Sequence, residues 1–397
     1  MGKSPQQLAD RNAGKFKALK KSLNLSWDDF IRTSDRKRHW LNVTALWQKL
    51  VGAGDIYKKS YRGLYCVGHE AFITEKDLVN GRCRDHEAKP EVVKEENYFF
   101  RLSRYAKKVA ALIRKDQLKI YPVSRANEVL SFIKKGIEDI SFSRPRQDLP
   151  WGIPVPGDDS QTIYVWCDAL VNYLHPKNQW PASLHVIGKD ILRFHALYWP
   201  AMLLSAKLPL PAALFVHGHL TVDGRKISKT LGNVVDPFAL VKQYGTDAVR
   251  YYLLRRVPPF ADGDFSQRRF KECYNADLAN GLGNLAARVF ALARQLGVKK
   301  SRSNKEIKDL VAAAGKRVEK ELEKYRLDRA LEAIWFLISE GDDYINRNKP
   351  WQSKNKQVVA ACLFLVDELA ELLEPFLPET AEKIRRRQAK SLFLRLK

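Results

Sequence analysis

Three short apolar runs with helical patterns between them decide what the middle of this chain can fold into. The runs are residues 163–166, 184–187 and 214–216, and residues 191–204 have the apolar spacing of a helix. Strands that alternate with helices form a parallel sheet with crossover helices. Ligands of such sheets bind beyond the carboxyl ends of the strands. The sequence therefore predicts binding residues in the segments that follow these runs.

The rest of the chain separates into helical regions and a β-rich insert. Helical spacing of apolar residues runs through 6–50, 101–115 and 125–138, whereas 61–100 contains short strand-like runs. From 267 onward the helical patterns are 267–298, 304–324, 327–347, 355–374 and 379–396. We predict an α/β chain, with a Rossmann-type parallel-sheet domain and a small β-rich insert, followed by an all-α bundle.

The predicted domain boundaries follow from these patterns. The α/β domain is expected to comprise residues 1–60 and 101–220, with the insert at 61–100 between its two parts. A connecting region with a lysine-rich loop is expected at 221–266, and a helical domain with a basic tail at 267–397.

The net charge of +24, with an isoelectric point of about 9.7, favours a polyanionic partner, and nucleic acid is the leading candidate. A generally basic proteome is the alternative explanation. Five cysteines in 397 residues do not indicate a disulfide framework and are typical of a reducing cytoplasm. No apolar run is long enough to span a bilayer, and the first residues lack the apolar core of a signal peptide.

A cationic loop follows the third apolar run. Its sequence, Lys226-Ile227-Ser228-Lys229-Thr230, places two lysines three residues apart among small and hydroxyl side chains. A lysine ammonium is a compact charge with three donors, and it can neutralise the charge that builds on a leaving pyrophosphate. A solvated turn is the alternative interpretation of these five residues taken alone.

Polar and aromatic residues follow the first two runs. Trp166 ends the first run, where a tryptophan can form the wall of an apolar pocket, and Tyr173 follows it. Gly188 permits close backbone approach, and Asp190 is placed as the N-cap of the next helix, which carries His195. For each residue alone, an ordinary core or surface position is the alternative. Together, at the edge of one parallel sheet, they favour a ligand site.

The β-rich insert contains two pairs of metal-ligating residue types. Cys66 and His69 have two residues between them, and Cys83 and His86 repeat that spacing. Two such pairs separated by a loop have the spacing of a tetrahedral zinc site. The alternative is that these are ordinary loop residues.

These motifs lie within longer runs that resemble one family. The matching runs are Glu96-Asn-Tyr-Phe-Phe-Arg-Leu-Ser103, Trp151-Gly-Ile-Pro-Val-Pro-Gly157, Tyr164-Val-Trp166, Val186-Ile-Gly-Lys-Asp-Ile191, Phe215-Val-His-Gly218, Asn275-Ala-Asp-Leu278 and Leu373-Glu-Pro-Phe-Leu-Pro-Glu-Thr380. They resemble methionyl-tRNA synthetase, a class I aminoacyl-tRNA synthetase, over essentially the whole chain. The lysine loop looks like the KMSKS signature of that family, with Ile for Met and Thr for the final Ser.

The resemblance implies a methionine–tRNA ligase, which forms methionyl-adenylate from methionine and ATP and then transfers the methionyl group to tRNA(Met). It also implies Mg²⁺ on the ATP phosphates and a zinc-knuckle region in the insert, where many relatives have four cysteines. The matching positions are Trp166, Ala169, Tyr173 and His195 for the methionine side chain, Gly188 and Asp190 for the adenosine, Lys226 and Lys229 for the triphosphate, Asn284, Arg288 and Trp351 for the CAU anticodon, and Cys66, His69, Cys83 and His86 for zinc.

The resemblance is incomplete at the start of the chain. Met1 corresponds to a point just after the family's first strand and its His-Ile-Gly-His-type motif, which binds the ATP phosphates. His217-Gly218-His219 is not that motif, because it belongs to the strand before the lysine loop. We therefore expect little adenylate formation by this chain alone. A partner chain that supplies the missing segment is one hypothesis, and a tRNA-binding fragment or split-gene half without catalysis is another. A cytoplasmic location is expected.

Overall fold

The computed structural model describes residues 2, 4–69, 71–73, 75–85, 87–175, 179–227, 232–388 and 392–396, with the backbone alone at 61, 62, 71, 72, 76 and 93–95. The chain separates into two compact units. One is formed by Asp29–Val216, and the other by Met1–Asp28 together with His217–Lys397. Among the described residues, no helix has both the length and the apolar character needed to cross a membrane.

Helix α1 (Pro5–Ser22) begins at a capping box, in which the side chains of Ser4 and Gln7 each accept a hydrogen bond from the other's backbone N–H. None of the side chains of α1 is buried. The predicted continuous helix over residues 6–50 is wrong, because α1 ends at Ser22 with Leu23 as its C-cap, and Asn24 has a φ of 49°. Helical structure resumes with a π-helical turn at Arg36–Trp40 and with α2 (Leu41–Gly52).

The unit Asp29–Val216 is mixed α/β. Its strands are β1 (Ile56–Cys66), β2 (Ala71–Ile73), β3 (Leu78–Val79), β4 (Arg82–Cys83), β5 (Glu91–Phe100), β6 (Lys119–Tyr121), β7 (Ile140–Ser141), β8 (Ser143–Pro145), β9 (Pro154–Val155), β10 (Asp158–Ile163), β11 (His185–Gly188) and β12 (Ala213–His217). Its further helices are α3 (Leu102–Arg114), α4 (Val123–Lys134), α5 (Val165–Ala169) and α6 (Trp199–Ser205). One-turn elements lie at Glu75–Asp77, Leu170–Leu174, Lys189–Ile191 and, as a π-helical turn, Phe194–Tyr198.

The central sheet of this unit has the strand order β11-β12-β6. Strands β12 and β6 are parallel, with Leu214 opposite Ile120, and both residues are buried. Helices α3 and α4 flank β6 in the sequence and pack against each other. The predicted parallel sheet with crossover helices is confirmed. The β-rich character predicted for 61–100 is also confirmed. Strands β1, β2 and β5 belong to an antiparallel sheet in the order β2-β1-β5-β7, whereas β3 and β4 pair with each other.

The predicted strand at 163–166 is wrong in its second half. Strand β10 ends at Ile163 and pairs antiparallel with β8 and β9, and α5 begins at Val165. Ile163, Tyr164 and Cys167 are all buried, so the apolar character continues across the junction. The prediction that Trp166 lies in a strand is wrong, because periodicity does not separate a buried strand from the first turn of a buried helix. The prediction that this run joins the parallel sheet is also wrong, since β10 belongs to the sheet β8-β10-β9.

The second unit continues with a small sheet and a helical bundle. The sheet has the order β14-β13-β15, formed by β13 (Leu220–Val222), β14 (Arg225–Lys226) and β15 (Gly263–Phe265). The helices are α7 (Pro237–Tyr244), α8 (Thr246–Arg256), α9 (Gln267–Cys273), α10 (Asn284–Gln295), α11 (Lys305–Leu322), α12 (Leu327–Asn348), α13 (Pro350–Ser353), α14 (Lys356–Leu373) and α15 (Pro378–Arg385), with a π-helical segment at Tyr274–Gly283.

The bundle buries one continuous apolar core, to which α8, α10, α12 and α14 all contribute. Within the described residues beyond 267 there is no strand, as predicted. The predicted last helix is too long, because α15 ends at Arg385 and residues 392–396 are irregular. The predicted boundaries between the five parts of the chain stay predictions.

Candidate functional site

A cluster of aromatic side chains lies where α5 and the 3-10 turn after it meet the π-helical turn Phe194–Tyr198. Trp166, Ala169 and Tyr173 are spaced i, i+3 and i+7 and share one helical face. Trp166 stacks on Phe194 with ring centroids 3.7 Å apart, and it meets the ring of His195 edge to face at 6.4 Å. The structure thus brings together residues that the sequence places after two different apolar runs.

The histidine of this cluster is held as a neutral hydrogen-bond acceptor. Nδ1 of His195 lies 3.0 Å from the carbonyl oxygen of Ile191, so this nitrogen carries the hydrogen. Nε2 then accepts a hydrogen bond from the hydroxyl of Tyr173, 2.7 Å away. Burial lowers the pKa of His195, because the imidazolium would lose its hydration. The wall of the cluster is therefore aromatic and uncharged at neutral pH.

Two further rings belong to this cluster, those of His185, which sequence reasoning misses, and of Trp199, which follows the turn that carries His195. Their rings lie 4.2 Å and 6.2 Å from the ring of Tyr173, measured between centroids. His185 is 4% exposed, and burial, followed by the neighbouring His195, lowers its pKa to about 4. No motif marks the position of His185, which opens a strand.

A buried contact fixes the position of α5. His39, which is fully buried in the π-helical turn Arg36–Trp40, contacts the carboxylate of Asp168 through Nε2. Asp168 lies on α5 between Trp166 and Ala169, so this contact restrains the element that carries both. The sequence offers no signal for the pair, because 129 positions separate the two residues.

Gly188 and Asp190 lie at the carboxyl end of β11, as predicted. Gly188 is the N-cap of the 3-10 turn Lys189–Ile191 and has a φ of −73°, which is open to any residue. Asp190 is exposed within that turn. The prediction that Asp190 caps the following helix is wrong, because the turn begins one residue before it and has no side-chain cap.

The lysine loop extends from a hairpin whose two-residue turn is Asp223-Gly224. Both turn residues have a positive φ, 48° and 73°, which is typical of the turn that connects two twisted strands. Lys226 is exposed at the end of β14, and its carbonyl oxygen accepts a hydrogen bond from the side-chain amide of Asn233 at 3.0 Å. The second predicted lysine, Lys229, lies outside the described residues.

One carboxylate holds this hairpin. Asp264 on β15 accepts hydrogen bonds from the backbone N–H of Gly224 at 2.8 Å and from the hydroxyl of Thr221 at 2.6 Å, and it pairs with the guanidinium of Arg269. The bond from Thr221, the bond from Gly224 and then Arg269 lower the pKa of Asp264. Sequence reasoning did not find this residue.

In the helical bundle, the structure places Asn284, Arg288 and Trp351 as follows. Asn284 and Arg288 are one turn apart on α10 and share a face. The guanidinium of Arg288 lies 5.7 Å from the ring centroid of Trp351, which is 41% exposed on α13. Arg288 is also held by Asp342 at 3.1 Å and by the side-chain oxygen of Asn346 at 2.8 Å. The result is an exposed indole beside an oriented cation, which suits an unstacked base.

Three of the four predicted metal ligands meet in the insert. The ligand atoms of Cys66, His69 and Cys83 all lie within 4.8 Å of one another, and Nδ1 of His69 is 3.5 Å from Sγ of Cys83. Nε2 of His69 is bound by the carboxylate of Asp85 at 3.0 Å. A carboxylate on the far nitrogen is the usual partner of a metal-binding histidine, so these residues fit a zinc ion. His86 lies outside the described residues.

Comparison with known proteins decides the family. The family model for class I tRNA synthetases of the methionine type matches residues 1–86 and 73–290, and the model for the anticodon-binding domain of tRNA ligases matches residues 304–395. The methionine–tRNA ligase of Brucella suis is 42% identical over 96% of this chain. The chain belongs to the methionyl-tRNA synthetase family.

Further relatives agree with this assignment to the methionyl-tRNA synthetase family. The methionine–tRNA ligase of Clostridium acetobutylicum is 41% identical over 97% of the chain. The chain spans 63% of the length of that relative and 79% of the Brucella suis relative. A solved structure of the Mycobacterium tuberculosis methionyl-tRNA synthetase in complex with methionyl-adenylate matches all of this chain at a TM-score of 0.90 and 36% identity, and the match covers 85% of that structure.

Proposed function

We propose that this chain acts as a methionine–tRNA ligase, which converts ATP, methionine and tRNA(Met) into methionyl-tRNA, AMP and pyrophosphate. One observation supports the proposal above the others, namely the uncharged aromatic cluster formed by Trp166, Tyr173 and His195. The methionyl-adenylate complex of the Mycobacterium tuberculosis relative, which matches the whole chain, supports the same reaction.

The cluster is suited to a methionine side chain. A thioether is polarizable and apolar, and each contact of its sulfur with an aromatic ring stabilises binding by about 0.3–1.5 kcal/mol. Trp166, Tyr173 and His195 would supply those contacts, with Ala169 leaving room on the same helical face. Since His195 is neutral, it offers no positive charge that would favour an acidic amino acid, and an ionised side chain would lose its hydration against these rings.

Adenylate formation needs positioning and charge stabilisation rather than an enzyme nucleophile. A carboxylate oxygen of methionine attacks the α-phosphorus of ATP, the bond between this phosphorus and the bridging oxygen breaks, and pyrophosphate leaves. Gly188 and Asp190 would bind the adenosine, and the ammonium groups of Lys226 and Lys229 would neutralise the leaving pyrophosphate. Magnesium that arrives with ATP would spread the same phosphate charge.

The bundle would select the tRNA. Trp351 would stack on a base of the CAU anticodon, while Asn284 and Arg288 supply donors to base edges. Arg288 is already oriented by Asp342, so little side-chain freedom is lost when the base arrives. After selection, the terminal ribose hydroxyl of the tRNA attacks the carbonyl carbon of the adenylate, and AMP leaves.

In the insert, Cys66, His69 and Cys83 would hold zinc, with His86 as the fourth proposed ligand. A zinc ion in such a site stabilises a small fold that has little apolar core of its own. The core of the insert supports this role, because it consists of Cys66, Ile73 and Cys83 with Leu64 and Leu78 packed against them.

Methionine-dependent exchange between ATP and labelled pyrophosphate tests the proposed reaction. Active protein should lose methionine affinity by about tenfold in Trp166→Ala, since a stacked and mostly buried ring is removed. Trp151→Ala is the matched control, because Trp151 is 65% exposed. An equal loss in both variants would contradict the assignment of the methionine pocket.

The same assay decides the prediction that the chain alone forms little adenylate, and adding a candidate partner chain tests whether a second polypeptide restores the reaction. The alternative of a tRNA-binding chain without catalysis predicts no exchange under either condition but retained preference for tRNA with a CAU anticodon. The predicted cytoplasmic location stays a prediction.

A further inference from the structure

The positive charge of the unit Asp29–Val216 is concentrated in one segment. Residues 101–135, all of which the structure describes, contain ten lysines and arginines against two acidic residues. The other 153 residues of the unit contain 19 basic and 18 acidic residues, so they are almost neutral. The segment comprises α3, β6 and α4 together with their connections.

On α3 the cations form one stripe. Arg104, Lys107, Lys108, Arg114 and Lys115 are all exposed and are spaced at three, four and seven residues, which places them on one side of the helix. We name this stripe the cationic face of α3. The opposite side is buried in the core of the unit through Leu102, Ala106, Val109, Ala110 and Ile113.

Most of this charge is not neutralised by the protein. Arg104 pairs with Asp55, but Lys107, Lys108, Arg114 and Lys115 form no ion pair within the residues that the structure describes. The helix dipole favours cations in the last turn, which accounts for Arg114 and Lys115. It does not account for Lys107 and Lys108, which lie in the middle of the helix.

We propose that the cationic face of α3 binds the phosphate backbone of tRNA, at a surface separate from the anticodon-reading residues. The stripe spans the twelve residues from Arg104 to Lys115, or about 16 Å along the helix. Successive phosphates on one strand of a nucleic-acid duplex are only a few ångströms apart along its axis, so the stripe can face several of them.

The surroundings of the stripe favour RNA over a membrane. A helix that binds a lipid surface presents large apolar side chains beside its cations. Within 101–135, Val123 on α4 is the large apolar residue with high exposure, and the apolar side of α3 is already buried. The lysines Lys119, Lys134 and Lys135 on the neighbouring elements are exposed as well, which extends the same sign of charge.

The test compares charge reversal on the stripe with a matched reversal elsewhere. The variants are K107E/K108E, the charge-preserving K107R/K108R, and K316E/R317E, which reverses a neighbouring pair of exposed cations in the middle of α11. The dissociation constant is measured between about 50 and 200 mM salt for tRNA(Met) transcripts with the CAU anticodon and with an altered anticodon.

K107E/K108E should bind both transcripts about tenfold more weakly, because phosphate contacts carry no sequence information. Its salt slope should fall by about two, one for each lost phosphate contact. K107R/K108R and K316E/R317E should retain the wild-type affinity and slope. An unchanged slope in K107E/K108E, or an equal fall in K316E/R317E, would overturn the proposal, since the latter would reflect total charge alone.

Two further measurements keep the result interpretable. If K107E/K108E does not fold, as judged by circular dichroism, R114E/K115E at the end of the same stripe takes its place and should give the same fall in slope. Vesicles of anionic phospholipid serve as the membrane probe, and Lys107-dependent binding to vesicles without an effect on tRNA would overturn the proposal. These experiments measure tRNA binding and need no catalytic activity. Loss of the proposed ligase activity can therefore be distinguished from failure of the proposed tRNA contact on α3.

Discussion

The hydroxyl of Tyr173 donates a hydrogen bond to Nε2 of His195 across 2.7 Å. This bond and the contact between Nδ1 and the carbonyl oxygen of Ile191 leave the imidazole in one neutral tautomer. Removing the hydroxyl leaves a buried acceptor without its donor, at a cost of about 1 kcal/mol. Tyr173→Phe should therefore raise the KM for methionine about fivefold in the exchange assay, with a smaller change in kcat.

The control for this variant is Tyr57→Phe. Tyr57 loses a hydrogen bond of similar length, 2.9 Å, to the carboxylate of Asp139, which lies outside the aromatic cluster. An equal rise in KM for the two variants would mean that the effect comes from stability rather than from the pocket.

The buried His185 makes the stability of its unit sensitive to acid. Its pKa is about 4 in the folded protein against an ordinary value of 6.5, so between these values the unfolded chain binds a proton that the folded chain does not. The contribution to stability is complete above 6.5 and is lost as the pH falls towards 4. We expect the free energy of unfolding to fall by about 2 kcal/mol from this residue between about pH 7.5 and about pH 5.

Urea unfolding followed by tryptophan fluorescence measures this loss. His185→Gln should make the free energy of unfolding less dependent on pH. The control, His217→Gln, replaces an exposed histidine and should leave the pH dependence of the unfolding free energy unchanged. A wild-type slope retained in His185→Gln would contradict the assignment.

The carboxylate of Asp264 should act on the rate rather than on methionine binding. It holds the hairpin through Gly224 and Thr221, and the first lysine of the loop follows on that hairpin. A misplaced charge-stabilising group costs one to two orders of magnitude in rate. Asp264→Asn should therefore lower the kcat of pyrophosphate exchange about tenfold and leave the KM for methionine unchanged.

Asp223→Asn is the control for this prediction, because asparagine tolerates the positive φ of this turn position. Its exchange rate should stay close to that of the wild type. If Asp264→Asn changed the KM for methionine and left kcat unchanged, the proposed role of the hairpin in the reaction rate would be contradicted.

Trp351 should carry a large share of anticodon recognition. Its indole is 41% exposed and lies beside the guanidinium of Arg288. A stack on one base contributes about 1–3 kcal/mol, so Trp351→Ala should weaken binding of tRNA with a CAU anticodon by that amount. Phe336→Ala, which removes an aromatic ring that is 56% exposed on α12, should have no effect. Equal affinities for all tRNAs in the wild type would contradict the assignment.

Zinc content tests the metal site of the insert. Purified protein should contain about one zinc per chain by mass spectrometry of the metal. Cys66→Ser should remove it, and Asp85→Asn should weaken zinc binding by about 10- to 100-fold, because it removes the partner that orients His69. Cys362→Ser, which alters a buried cysteine of α14, should keep the metal. Full zinc content in Cys66→Ser would contradict the site.

Local patterns predict most of the elements of this chain but not its long-range contacts. The apolar run at 214–216 identifies β12, because a strand buried on both faces needs such a run. The same reasoning misplaces Trp166, since the run at 163–166 crosses from a strand into a helix. His39 and Asp168 come into contact only in the folded chain, and two residues 129 positions apart have no sequence spacing that indicates their contact.

Helix α1 has a consequence for the dynamics of the chain. None of its side chains is buried, whereas α14 buries eleven. The amide hydrogens of α1 are protected by its own helical hydrogen bonds and by its capping box, so they can exchange with solvent through local fraying. Those of α14 can exchange only when the bundle opens. Hydrogen–deuterium exchange would thus find rapidly and slowly exchanging helical amides within one compact unit.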